Sequence, residues 1–215
     1  MHNDRTKRLT SLALLSAMAY IAVFLVRIPV VSFLKYEPKD VIITVGGFLF
    51  GPLSAFIISL VTALLEMVTI SETGIIGCIM NLLSSACFAC VAAAVYKKQH
   101  KLSGAILGLI LGSAAMIVIM LLWNWLITPI YMKVPRPMVE GMLLPVFLPF
   151  NALKAGLNSA LFLGLYKPLV TALRKLGFAK ERTGTPERSK VGVYFLAAGL
   201  LATCIVLLLV LRGIL

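Results

Sequence analysis

Apolar residues fall into seven continuous blocks along the chain, separated by short polar segments. The blocks cover residues 9–26, 40–50, 52–70, 75–96, 103–127, 147–172 and 191–211. Most of them approach the ~20 residues that cross a bilayer as an α-helix, and they lack the short alternating pattern of barrel strands. The block 40–50 is short, because eleven residues rise only about 17 Å as helix. The pattern predicts an all-α polytopic membrane protein.

The Gly51-Pro52 pair lies between the second and third blocks, where proline either kinks one long helix or begins a new one. The preference of Lys and Arg for the cytoplasmic side distinguishes the two cases. Two separate crossings place the basic segments 97–101 and 174–190 on the same side as the basic N-terminus, whereas one kinked helix would move 97–101 outside. We therefore expect a tight cytoplasmic turn here. Of the 20 Lys and Arg residues, 13 then lie inside, 6 outside and Lys154 within a block.

This topology divides the chain into four parts. They are a basic cytoplasmic tail (1–8), a six-helix membrane domain (9–175), a basic cytoplasmic linker (176–190) and an additional transmembrane helix (191–211). The outer loops are 27–39, 71–74 and 128–146. Proline, tyrosine and charged residues alternate with apolar ones in the first and third of these, so we expect ordered lids rather than solvated linkers.

Composition excludes most other classes of protein. Hydrophobic residues make up 60% of the chain and charged residues 13%, with a mean hydropathy of +1.02, whereas soluble domains are about 25% charged. The net charge of +12 is explained by the inner loops, so no nucleic acid partner is expected. All four cysteines lie in apolar blocks, and no metal site is expected. No phosphate-binding loop, zinc-protease motif or nucleophile elbow is present, so we expect no enzyme.

Polar residues deep in apolar blocks are the candidates for function, because they are costly in a membrane. They are Asp40, Glu66, Asn81, Asn124, Asn151 and Lys154. Asn151 and Lys154 are three residues apart and share a helix face. All except Asn81 lie toward the outer half of the predicted bundle.

Each candidate also has a structural interpretation. Asn81 and Asn124 could hydrogen-bond between helices, and Lys154 could extend to the outer interface. A paired structural carboxyl is the favoured interpretation of Glu66. Asp40 opens the second block and is more often an N-cap than a ligand.

Taken together, these residues indicate a type of ligand more specifically than any one of them does. Two amides and one ammonium group lie near four aromatic residues, Trp123, Trp125, Phe147 and Phe150, below an outer lid. A concave aromatic site with few polar groups suits a flat, neutral, hydrogen-bonding ligand.

Small residues recur at helical spacing in two blocks. Ala13 and Ala17 form one stripe, and Gly104, Gly108 and Gly112 form another. Such stripes allow close contact between helices in lipid. Packing within the chain is the favoured interpretation of the glycines and one of two open interpretations of the alanines.

Five segments carry a resemblance to a known family. They are 33–40 (FLKYEPKD), 46–52 (GGFLFGP), 74–82, 124–131 (NWLITPIY) and 149–154 (PFNALK). With these, residues 9–175 resemble the substrate-binding S components of energy-coupling factor (ECF) vitamin transporters, specifically the riboflavin type.

The resemblance implies a six-helix bundle in a bacterial cell membrane, with its N-terminus cytoplasmic and an outward-facing pocket. Riboflavin would be the transported ligand rather than a cofactor. Asn124, Asn151 and Lys154 would contact it, with Asn81, Glu66 and Asp40 in the site and Tyr36 over its ring. A transmembrane coupling protein and two ABC-type ATPase subunits would supply the energy, and Ala13 and Ala17 would dock the coupling protein.

The chain departs from the family pattern at Cys78, where an acidic residue is frequent, in the apolar segment 60–67, and in its seventh helix. Three other functions therefore stay open. They are an S component for another vitamin or precursor, a small integral-membrane enzyme, and a membrane scaffold without ligand.

Overall fold

The structure is a computed structural model that describes residues 2–31, 34–175 and 191–213. The helices are α1 (His2–Leu25), α2 (Lys39–Phe50), α3 (Pro52–Thr69), α4 (Gly74–Gln99), α5 (Leu102–Met132), α6 (Arg136–Met142), α7 (Leu148–Lys175) and α8 (Val191–Leu211). A π-helical segment, Leu143–Phe147, joins α6 to α7. The predicted linker 176–190 lies outside the described residues.

Membrane-spanning character is clear from length and composition. Six helical stretches are long and apolar enough to cross a bilayer, namely Arg5–Leu25, Pro52–Thr69, Gly74–Gln99, Leu102–Met132, Arg136–Tyr166 and Gly192–Leu211. The remaining helix, α2, is the short block. Residues 2–8, predicted as a separate tail, form the first turns of α1. This architecture confirms the predicted all-α bundle with an additional C-terminal helix.

One β-hairpin interrupts the helices. Strand β1 (Ile28–Val31) pairs antiparallel with β2 (Leu34–Tyr36), with Ile28 opposite Tyr36. It occupies the segment that the sequence predicts to be an ordered outer lid. Strands of four and three residues are too short to leave a period in the sequence.

The turn at Gly51 separates α2 from α3, as predicted. Gly51 has φ 93°, a conformation that favours glycine, and Pro52 begins α3. Lys39 at the start of α2 contacts Glu66 near the end of α3, with 2.6 Å between Nζ and Oε1. The two helices are therefore antiparallel.

Side-chain contacts show which helix ends and loops lie together at each end of the bundle. At the N-terminal end, Arg8 donates to Ser54 Oγ at 2.9 Å, and the ring of Tyr96, near the end of α4, stacks on Phe48 with centroids 4.1 Å apart. At the opposite end, here called the hairpin end, Arg27 donates to the carbonyl of Ile70 at 3.0 Å. The Gly51 turn and the 97–101 loop thus lie at the N-terminal end.

The outer loop predicted over 128–146 is almost entirely helical, which corrects that prediction. Helix α5 continues through Pro129 to Met132, and α6 begins at Arg136. Membrane helices tolerate proline where local adjustments satisfy the freed backbone groups. Pro145 lies in the π-helical segment, where the N–H of Leu148 bonds to the carbonyl of Leu143.

Helices α4 and α5 pack closely along the glycine stripe of α5. A Cβ atom at Gly108 would lie 2.6 Å from the carbonyl oxygen of Ala92, and one at Gly112 would lie 2.5 Å from that of Phe88. A side chain at either position would push the helices apart. The glycine stripe therefore serves packing within the chain, as the sequence favoured.

Helix α8 ends at the hairpin end. Arg212 donates from Nη2 to the carbonyl of Pro29 at 2.6 Å, and Leu207, Leu208 and Leu211 pack in the same cluster as Val30 of the hairpin. The additional helix therefore contacts both α7 and the hairpin, and the bundle has its first and last helical ends on opposite sides.

A polar cleft at the hairpin end

A cleft opens between the hairpin, α4, α5 and α7. Its empty space is about 400 Å³, open mouth included. Polar lining residues are Lys35, Asn81, Ser84, Asn124, Asn151 and Lys154, and apolar ones are Leu34, Met80, Met120 and Phe150. Polar groups that converge on a partly apolar cleft are able to fix the orientation of a small molecule.

The amide of Asn124 is held by its own helix. Its Nδ2 donates to the carbonyl of Met120 at 2.7 Å, and its Oδ1 accepts from the Thr128 hydroxyl at 2.9 Å. An amide has two N–H donors and an oxygen with two acceptor positions. The orientation is thus fixed, with a donor and an acceptor position left for a ligand.

Asn151 is fixed in the same way on α7. Its Nδ2 donates to the carbonyl of Phe147 at 2.7 Å. Phe147 is the last residue of the π-helical segment, so the irregular turn supplies the carbonyl that orients this amide.

Lys154 does not extend to the membrane interface. Its side chain is buried, with Nζ donating to Ser84 Oγ at 3.1 Å and lying 3.5 Å from Asp40 Oδ2. Its charge is therefore compensated from α2 while the side chain lines the cleft. A lysine with a nearby carboxylate makes the floor of the cleft close to neutral overall.

A second layer of polar residues lies behind the cleft. Asp40 is fully buried and accepts hydrogen bonds from the Ser85 hydroxyl and from Asn158 Nδ2. Asn158 in turn accepts from the Tyr36 hydroxyl at 3.0 Å. Burial and the Asp40 carboxylate raise the pKa of Tyr36, so this hydroxyl remains protonated and able to donate.

A chain of ion pairs runs from the hairpin to α4. Arg27 Nε lies 2.9 Å from Glu37 Oε1, Lys39 Nζ lies 2.9 Å from Glu37 Oε2, and Lys39 also contacts Glu66. Asn81 Nδ2 donates to Glu66 Oε2 at 2.8 Å. Burial alone would raise the pKa of Glu37, but the charges of Lys39 and Lys154 and the hydrogen bonds from Lys39 and Arg27 lower it to about 2.

The structure brings four of the predicted site residues together and places three behind them. Asn81, Asn124, Asn151 and Lys154 line the cleft. Tyr36, Asp40 and Glu66 are not among its lining residues. Glu66 is a paired carboxyl, as favoured. The predicted N-cap role of Asp40 is wrong, because Pro38 occupies the N-cap position and Asp40 lies inside α2, bonded to α4 and α7.

The predicted aromatic wall is reduced to Phe150. Phe147 is buried in the apolar cluster under the hairpin, and Trp123 packs in the core between α4, α5 and α7. Trp125 turns away, donating from Nε1 to Glu140 at 3.0 Å. Methionine and leucine side chains supply the rest of the apolar wall.

Sequence reasoning missed four polar residues of this region: Glu37, Lys39, Ser84 and Asn158. Glu37 and Lys39 precede a block and belong to the segment 27–39, which the sequence predicts only as an ordered outer lid. Asn158 carried a signal that was overlooked, because it lies four residues after Lys154 and seven after Asn151 on one face of α7.

Ala13 and Ala17 lie on the outer surface of α1, in the middle of the helix. They are exposed together with the neighbouring Leu14 and Met18. Packing within the chain was one of the two open interpretations of these alanines. Their exposure shows that they do not pack against the other described residues.

Within the part of the chain that the structure describes, no group of three or more His, Cys, Asp and Glu side chains could hold a metal ion. The fold and the cleft define a membrane-embedded subunit that binds a small molecule from one side of the bilayer.

Comparisons with known proteins show which family the chain resembles. The family model for the ECF transporter, substrate-specific component, matches residues 7–166. The riboflavin transporter RibU of Staphylococcus aureus is 26% identical over 185 residues, covering 82% of this chain and 97% of the relative. The riboflavin transporter FmnP of Bacillus subtilis is 25% identical over 170 residues, covering 74% and 89%.

A solved structure of the S component of a bacterial ECF transporter superposes with a TM-score of 0.67 at 29% identity, covering 79% of this chain and 99% of that one. The chain belongs to the substrate-specific components of ECF transporters. This family consists of transport subunits, so the membrane enzyme and the ligand-free scaffold are excluded.

Proposed function

We propose that the chain captures riboflavin from outside the cell and delivers it inward together with an ECF coupling protein and two ABC-type ATPase subunits. The two relatives named above are riboflavin transporters by name, and family membership supports the coupling partners. Asn124, Asn151 and Lys154 are the proposed ligand contacts, with Asn81 beside them.

The observation that carries this proposal is the convergence of two fixed amides and one compensated lysine on a single cleft. The ring of riboflavin is neutral near pH 7 and presents one N–H between two carbonyls. An amide matches such an edge with its donor and acceptor, and a lysine can donate to a carbonyl or a ribityl oxygen. Because Asp40 compensates Lys154, a neutral ligand leaves no charge unpaired.

Charge distribution supports an orientation with the N-terminus in the cytoplasm of a bacterial cell. Arg5, Lys7, Arg8 and the lysines of segment 97–101 lie at the N-terminal end. At the hairpin end, several basic residues are engaged in ion pairs, such as Arg27, Lys35 and Lys39. Lys and Arg are more frequent in cytoplasmic loops, and the basic residues of the N-terminal end support an outward-facing cleft.

The first experiment is purification from a riboflavin-containing medium, followed by an absorption spectrum and a fluorescence titration. We expect a flavin spectrum in the parent. Asn151→Ala and Lys154→Ala should each weaken binding about tenfold or more, because a buried polar partner is lost. Lys133→Ala, an exposed lysine at the same end, is the control and should bind like the parent.

A colourless protein that does not quench riboflavin fluorescence would point to an S component for another vitamin. Parent-like binding by both Asn151→Ala and Lys154→Ala would show that riboflavin binds elsewhere.

A further inference from the structure

Asn158 is fully buried behind the cleft and does not line it. It lies one helical turn after Lys154 on α7, facing the start of α2 and strand β2. Its side chain makes two hydrogen bonds to two different elements. The Tyr36 hydroxyl donates to Oδ1 at 3.0 Å, and Nδ2 donates to Asp40 Oδ2 at 3.0 Å.

The same carboxylate oxygen serves the lysine of the cleft. Asp40 Oδ2 lies 3.5 Å from Lys154 Nζ and accepts from Asn158. A continuous polar path therefore runs from the hairpin through Tyr36, Asn158 and Asp40 to Lys154. Its first member lies on the element that covers the cleft, and its last member lines the cleft.

The chemistry of the two neighbours restricts what can stand at position 158. The Tyr36 hydroxyl needs an acceptor, and the Asp40 carboxylate needs a donor. A neutral amide supplies both from one side chain, whereas a carboxylate lacks the donor at neutral pH and an apolar residue supplies neither. Position 158 therefore requires both a hydrogen-bond donor and an acceptor, whereas a position that only fills space requires neither.

We propose that Asn158 is a positioning residue that latches the hairpin onto the bundle and, through Asp40, holds Lys154 toward the cleft. Closure of the hairpin and orientation of the lysine are thereby coupled. The effect on ligand binding rests on the proposed function, whereas the effect on the hairpin does not.

The test uses Tyr36→Phe, Asn158→Leu and the double variant, each in the full-length chain. The first readout is trypsin cleavage after Lys35 in the ligand-free protein. Both single variants should raise the cleavage rate by about two- to tenfold, the range expected for one lost hydrogen bond. The double variant should be cleaved no faster than Asn158→Leu, because both changes remove the same bond.

The second readout is the dissociation rate of riboflavin, followed by recovery of its fluorescence. Lys154→Ala should lose less affinity in the Asn158→Leu background than in the parent, because the lysine is already misplaced there. Ser159→Ala is the matched control. It removes another buried hydroxyl of α7, which contacts Ser113 at 3.4 Å, and it should change neither readout.

The latch proposal would be wrong if Tyr36→Phe were cleaved at the rate of the parent. It would also be wrong if the effects of Tyr36→Phe and Asn158→Leu on the cleavage rate were additive in the double variant. If Asn158→Leu does not fold, Tyr36→Phe compared with Ser159→Ala decides the question in the same assay. If the parent does not bind riboflavin, the ligand proposal fails while the cleavage readout still decides the latch.

Discussion

At the scale of single residues, the described ion pairs inside the hairpin end join three cations with three carboxylates. The cations are Arg27, Lys39 and Lys154, and the carboxylates are Glu37, Asp40 and Glu66. An unpaired charge is expensive within a bilayer. The pairing explains why the chain tolerates so many ionisable groups near its cleft.

Lys39 is the central member of this group, because it contacts both Glu37 and Glu66. Removing one partner of a buried pair costs about 3–5 kcal/mol. Lys39→Met would leave Glu66 with the Asn81 amide alone, whereas Glu66→Gln leaves Lys39 with Glu37. We expect Lys39→Met to lower the unfolding temperature in detergent more than Glu66→Gln does, as measured by circular dichroism. The reverse order would show that Glu37 and Glu66 do not depend on the lysine.

The lowered pKa of Glu37 predicts a dependence of stability on pH. A carboxyl whose pKa falls to about 2 on folding adds stability above its unfolded pKa of about 4.3, and this is lost as the pH falls toward 2. The difference in unfolding temperature between the parent and Glu37→Gln should therefore be largest above about pH 5, where it reflects roughly 3 kcal/mol. It should shrink between pH 4.5 and 2. A difference that is constant with pH would contradict the ion pairs.

At the scale of elements, the sequence predicted the helices better than the connections between them. Apolar blocks mark α1 to α5, α7 and α8, and the positive-inside rule located the Gly51 turn. The hairpin escaped detection because its strands are too short to show a period. The extension of α5 past Pro129 escaped because proline in a membrane helix is compatible with continuation.

The residues of this region were predicted better than the contacts between them. Asn124, Asn151, Lys154, Asp40 and Glu66 are recognisable as polar residues in apolar blocks. Their partners are not, because the bond between Tyr36 and Asn158 joins residues 122 positions apart. No local pattern records such a pair.

The exposed alanine face of α1 predicts a separation of binding from transport. If this face docks the coupling protein, Ala17→Trp should hold the partner helix away and abolish riboflavin uptake in cells that express the coupling module. Binding in detergent should be unchanged, since no residue of α1 lines the cleft. Met18→Trp changes an exposed neighbour about 100° around the helix, and it should retain both activities.

Loss of binding together with uptake in Ala17→Trp would instead indicate that the bundle itself is disturbed. Unchanged uptake would show that this face contacts only lipid.

At the scale of the whole molecule, the described residues form seven helical segments that alternate in direction between the two ends. The N-terminus of α1 and the end of α8 consequently lie on opposite sides of the membrane. Helix α8 also contacts the hairpin through Arg212, so the segment added to the six-helix bundle supports the same element that covers the cleft.

The orientation of the bundle can be measured by labelling with a membrane-impermeant maleimide on intact cells. In a background without the four native cysteines, Lys133→Cys at the hairpin end should be labelled directly. Lys98→Cys at the N-terminal end should be labelled only after the membrane is permeabilised. Both positions are exposed, so accessibility within the protein does not confound the result. The opposite pattern would reverse the proposed direction of uptake.

The π-helical segment Leu143–Phe147 determines how the following helix, α7, is rotated about its own axis. A π-bulge corresponds to one residue inserted into an α-helix, and one residue turns the helix by about 100°. Deleting that residue would restore a regular helix while rotating Asn151 away from the cleft and Lys154 and Asn158 away from their partners on other elements. The lining of the cleft thus depends on the number of residues in this turn as well as on their identity.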